Sequence, residues 1–114
     1  MNCENVIILN NIVRNSFRIG SPEASSDRDY SLIVRTMNIG YGISHDKIHD
    51  IVRMQMKDAV KKVSSYDYDT TAEKYRRRHW VITQAKRWGL GCVEVNRIWS
   101  QSVNRAWLPM EEAA

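Results

Sequence analysis

Two cysteines, two prolines and five glycines are spread over 114 residues, and each scarcity excludes a class of protein. Cys3 and Cys92 show neither metal nor redox spacing, so free thiols in a reducing cytoplasm are expected rather than a disulfide framework. So little Gly and Pro excludes a collagen-like or low-complexity chain. No window approaches about 18 uninterrupted apolar residues, so no membrane span is expected. Glu4 precedes only a short apolar run, Val6 to Leu9, which is not a signal peptide. There is no Gly-rich phosphate loop, no Cys–His pairing beside an acid and no paired-carboxylate arrangement. An enzyme and a bound cofactor are therefore not expected. No internal repeat occurs.

What is present is an ordinary globular composition, 43% hydrophobic and 26% charged, enough for one modest core. The net charge of +4 is unevenly distributed. Residues 1–69 carry nine Lys/Arg against nine Asp/Glu, whereas residues 70–107 carry eight against two. Positive charge concentrated in one third of a small chain is what a polyanion-binding surface needs, although a solvated helix face can carry the same bias.

Hydrophobic spacing predicts an all-α chain of about five helices. The first runs from Asn5 to Phe17 through Ile8, Ile12 and Val13, and ends at Gly20-Ser21-Pro22. A polar loop follows from Glu23 to Arg28. Asp29 to Ile39 is read as a second helix with Leu32, Ile33 and Met37 inward. After the Gly40-Tyr41-Gly42 break, Ser44 is the predicted N-cap of the most regular amphipathic segment. Its stripe is Ile48, Val52, Met56, Ala59 and Val63, with Met54 and Met56 as flexible core filler. Ser64 to Asp69 is a polar connector. Thr70 and Glu73 have capping-box spacing and open a helix to Trp88, with Tyr75, Val81, Ile82, Ala85 and Trp88 inward. A last helix, Cys92 to Trp107, carries Val95, Ile98, Trp99, Val103 and Ala106 on one side and stops before Pro109. Residues 1–66 are thus a helical platform suited to self-association, 70–107 a basic unit and 108–114 a frayed tail, within one compact domain.

Two features inside the basic unit set its expected geometry. Steeply crossing helices need a small residue where their backbones approach, and Ala85 supplies it. Gly89 can take the positive φ that ends the first helix, after which Leu90 is buried against both. Val95 and Ile98 face back toward Ala85. The segment from Val81 to Ser100 resembles the helix-turn-helix of phage Cro/repressor proteins, over about 20 residues. That resemblance places Cys92, Val93, Asn96, Arg97 and Ser100 on a recognition helix in the major groove. Asn suits adenine, Arg suits guanine, and Val93 and Cys92 suit a thymine methyl. Arg76, Arg77, Arg78, Lys86 and Arg87 are then the expected phosphate contacts. Three residues depart from the pattern: Gln84 at a site commonly apolar, Gly91 in place of a Ser/Thr/Asn cap, and a bulky Trp88 beside the turn. Glu94 adds a negative charge to the same helix.

Other constellations yield blander readings. His45 and His49 have the i, i+4 spacing of zinc hydrolases, but Asp46 replaces the longer Glu, and a third ligand has to come from Asp50 or His79. A polar first turn explains them more simply. Trp88, Trp99 and Trp107 read as core, while Trp80 lies off the stripe and is available either to pack on the N-terminal helices or to serve a dimer contact. Arg76-Arg77-Arg78 is too short to distinguish RNA from DNA backbone. The expectation is a DNA-binding transcription regulator of phage or bacterial type, binding duplex DNA as a homodimer or higher homo-oligomer. The alternatives are a protein that contacts a host enzyme or RNA polymerase without reading bases, and, further off, a metal-dependent hydrolase.

Overall fold

The computed structural model describes residues 3–18, 30–66 and 70–104. Within them the chain is all-helical: α1 (Cys3–Ser16), α2 (Ser31–Arg35), a π-helical turn (Thr36–Gly40), α3 (His45–Ser64), α4 (Thr71–Arg87) and α5 (Cys92–Ser102). No strand occurs among the described residues. The expected stop at Gly20–Pro22, the loop to Arg28, Asp29, residues 67–69 and everything from Arg105 onward, including Trp107 and Pro109, lie outside them.

Local chemistry starts two helices where the spacing predicts. The Ser44 side chain accepts from the Lys47 backbone N–H at 3.1 Å, and Thr70 does the same for Glu73 at 3.1 Å. Each satisfies one of the N–H groups that a helix start leaves without a partner. Asp46 and Glu73 in the first turns, and Lys61, Lys62, Lys86 and Arg87 in the last, complement the helix dipoles.

A single core crosses the connector between the N-terminal and C-terminal regions. Leu9 and Val13 of α1 and Phe17 just after it share one cluster with Ile48, Ile51, Val52, Met56 and Val60 of α3, and this continues to Val81, Ala85, Leu90, Val95, Ile98 and Trp99. The centre of this core is polar as well as apolar. Tyr30 stacks on Trp88 with ring centroids 4.2 Å apart and planes 12° from parallel. The Tyr30 hydroxyl donates to Gln84 Oε1 at 2.6 Å, and Trp88 Nε1 donates to Ser16 Oγ at 2.7 Å. All four side chains are buried. Gln84 and Trp88, the two departures in α4, are therefore a matched pair that ties this helix to α1 and to the start of α2.

Several expectations are corrected. The second helix is one α-turn that widens into a π-turn, where Ile43 N–H bonds Met37 O at 3.1 Å and Asn38 Nδ2 bonds Ile43 O at 2.8 Å. Met37 is buried and Leu32 is 70% exposed, while Tyr30, two residues before it, fills the core. In α1 the inward row is Leu9, Val13 and Phe17, so Ile8 is exposed. Met56 is core but Met54 is exposed, and Tyr75 points outward. The last helix stops at Ser102 rather than Trp107. Val103 turns extended (φ −70°, ψ 141°), docks in the core, and lets the Asn104 N–H reach Ser64 Oγ at 3.0 Å. Trp80 does pack on α1, donating from Nε1 to Phe17 O at 3.1 Å.

Tyr30→Phe removes the hydroxyl donor from a buried amide oxygen, and is expected to lower unfolding free energy by about 1–3 kcal/mol. Tyr30→Phe combined with Gln84→Leu removes both partners and is expected to recover part of that loss. Urea denaturation of the three proteins measures it, and a double variant no better than the single one contradicts the pairing.

Candidate nucleic-acid interface

Four residues, Trp88 to Gly91, separate α4 from α5, and the physics of that reversal is local. Gly89 has φ +106°, a conformation that a side chain resists. Its N–H bonds Lys86 O at 3.0 Å, and the Leu90 N–H bonds Ala85 O at 3.2 Å, closing the end of α4. Leu90 is then buried with Ala85, Val95 and Ile98. Gly91 is extended (φ −74°, ψ 160°) and supplies no capping side chain to α5.

Burial divides α5 into two faces. Val95, Ile98 and Trp99 are buried, and Cys92, Val93, Asn96, Arg97 and Ser100 are all exposed. At 100° per residue these five share an arc of about 140°. Val93, at 73% exposure, is an apolar side chain held out in solvent. Glu94 sits at the edge of this face and does not join it. Its carboxylate pairs with the Arg53 guanidinium of α3, which also holds Asp50 at 2.8 Å. That bridge joins the first turn of α5 to α3.

The cations of α4 do not form one row. Arg78 lies over the Trp99 ring, 5.5 Å from its centroid, and so marks the side of α4 that faces α5. Ile82 lies about 40° and Lys86 about 80° round the helix from Arg78, with Lys86 exposed and Arg77 about 100° round in the other direction. Arg76 and Arg87 fall about 160–180° round the helix from Arg78. Arg76 and Arg77 both grip Glu73, at 2.8 and 2.9 Å. These contacts, Arg76 first and Arg77 second, hold the Glu73 carboxyl below its usual range and raise the Arg76 guanidinium. The ion-pair cluster explains three of the charges that a count along the sequence treats as equivalent.

His45 and His49 line a recess of about 390 Å³ together with Arg35, Arg87, Trp88 and Gly89. Neither Asp50 nor His79 lines it, and no group of three metal-ligating side chains occurs among the described residues. His49 instead packs beside Gly89, where an added Cβ would lie 3.6 Å from its Nε2. No helix among the described residues is long and apolar enough to cross a membrane. No family model matches the chain, and no similar protein or solved structure was found.

Gly89→Val is expected to cost about 1–2 kcal/mol or more, because a β-branched residue resists this φ. A thermal midpoint equal to that of the unaltered protein contradicts the turn. Glu73 supplies a second prediction. A carboxylate with a depressed folded-state pKa stabilises the fold above its unfolded value and loses that contribution as pH falls through the folded one. Thermal melts of the unaltered protein and Glu73→Gln are therefore expected to differ at pH 7, and to converge as pH drops below about 4.3. A gap that persists or widens in acid contradicts it.

Proposed function

We propose that this chain is a small sequence-specific DNA-binding regulator in which α4 and α5 act as a helix-turn-helix and α5 reads the major groove. The observation that carries this reading is the two-faced α5. Three core residues anchor one side, while Asn96, Arg97, Val93, Cys92 and Ser100 stand together on the other. An amide, a guanidinium and small apolar groups on one arc match the donors, acceptors and thymine methyl of a major groove. The engagement of Glu94 by Arg53 supports it, because that carboxylate is turned toward a cation instead of toward DNA phosphates. Lys86 is the phosphate contact best placed beside α5, and Arg78 serves to brace Trp99. Arg76, Arg77 and Arg87 lie off that flank and contribute charge at longer range.

One recognition helix reads too few base pairs alone, so operator binding calls for a two-fold assembly. The near-neutral N-terminal region is the proposed contact between copies. Leu32 and Ile39 are 70% and 72% exposed there and offer apolar surface. The regulator acts by occupying its site relative to a promoter.

Selection of bound fragments from random duplex DNA at physiological salt tests the reading, and a palindromic consensus is expected. On that site Asn96→Ala and Arg97→Ala are each expected to cost about 1–3 kcal/mol and relax preference at one or two positions. Lys86→Ala is expected to weaken consensus and scrambled DNA equally, and to flatten the salt slope by about one unit. Recovery of no enriched sequence, or full discrimination by the Asn96 and Arg97 variants, overturns base reading. The outer face of α5 then serves a protein partner.

A further inference from the structure

A second basic site lies in a recess among the end of α1, the C-terminal half of α3 and α4. It encloses about 280 Å³, near the lower bound of roughly 300 Å³ for small-molecule sites. Arg14 of α1, Arg18 just beyond its end, Lys62 of α3 and Arg77 of α4 line it. Asp58 is the one carboxylate among the described residues that line it. The apolar part is Phe17, Ala59 and Val63, and two aromatic side chains, Trp80 and Tyr66, complete the wall.

Parts of this wall are already fixed. Trp80 is anchored by its 3.1 Å hydrogen bond to Phe17 O, and Arg77 is held by Glu73 at 2.9 Å. Gln55, also on the wall, donates to Asn10 Oδ1 at 3.2 Å, which fixes α3 to α1 beside the recess. Fixed walls reduce the ordering cost of binding. Three further cations, Arg14, Arg18 and Lys62, line the same concavity, with Arg14 also donating to Asn11 Oδ1 at 3.0 Å, and a lining so rich in cations favours an anion. The recess is too small for a polymer and too aromatic for a bare anion.

We propose that this recess binds a nucleoside monophosphate. The phosphate lies against Arg14, Arg18 and Lys62, whose donors suit a dianion. The base lies against Trp80 and Tyr66, because every base presents a π-face that stacks on an aromatic ring. Asp58 accepts from an amino group of the base or a ribose hydroxyl. The inference is independent of the DNA-binding proposal: Arg77 is the one residue common to both, and the test contains no DNA.

Isothermal titration of the full chain with AMP, GMP, CMP and UMP tests it, with inorganic phosphate and adenosine as separate arms. At least one nucleotide is expected to bind once per chain with Kd of about 10–100 µM. Phosphate and adenosine are each expected to bind at least about tenfold more weakly, since each makes only half of the contacts. Lys62→Glu, at an exposed position, is expected to weaken the nucleotide by about tenfold or more. Lys47→Glu makes the same charge change at the other end of α3 and is expected to leave binding within about twofold, because it is distant and screened. Thermal melts establish that both variants fold. No saturable heat from any nucleotide at millimolar concentration overturns the proposal. So does equal loss in the two lysine variants, and so does inorganic phosphate binding as tightly as the nucleotide.

Discussion

The stack of Tyr30 on Trp88, with its two side-chain hydrogen bonds, is the constraint on which the other contacts depend. Burying an indole N–H, a phenol and an amide is costly unless each finds a partner. Here the Trp88 N–H reaches Ser16, and the Tyr30 hydroxyl reaches Gln84. The four residues come from α1, the approach to α2 and the end of α4, so satisfying them fixes three segments at once. With Trp88 held at the C-terminus of α4, the chain has to reverse immediately. Gly89 permits that reversal at φ +106°, and Leu90 closes it against the core. The direction of α5 follows.

Charge then separates the two faces that this geometry creates. On α5 the Arg53–Glu94 pair ties the first turn to α3 and keeps a carboxylate off the exposed face. On α4 the basic residues other than Lys74 divide into three groups: two around Glu73, one over Trp99, and Lys86 and Arg87 near the end. Exposed ion pairs of this kind contribute little to stability, about 0–1 kcal/mol each. Their larger effect is on which cations a polyanion can meet. A surplus of positive charge in one third of the chain is consistent with such a ligand, but only part of that surplus lies beside α5.

The N-terminal region carries equal numbers of acidic and basic residues, yet Arg14, Arg18 and Lys62 line a recess where Asp58 is the one acidic lining residue described. Summing charge along the sequence hides such a site, because a sum does not say which charges share a concavity. The signal available in the sequence was weak: Arg14 lies in the last turn of α1 and Arg18 two residues beyond its end, and nothing local brings Lys62 beside them.

Spacing and capping chemistry by themselves determined the helical class, the starts at Ser44 and Thr70, the turn at Gly89, and the inward row Ala85, Leu90, Val95 and Ile98. These depend on residues within one or two helical turns of each other, where propensity and periodicity act directly. Tertiary structure alone decided the rest. Leu32 and Tyr75 are exposed although their spacing reads as inward, because a periodic pattern does not say which of its apolar positions meets a partner in the assembled fold. The last helix ends at Ser102, where Val103 turns extended and docks in the core and the Asn104 N–H finds Ser64 Oγ, contacts that no local window contains. Gln84 could not be placed from α4, since its partner Tyr30 is 54 residues away. Partners that distant are brought together only by the assembled core, whose shape no local window contains.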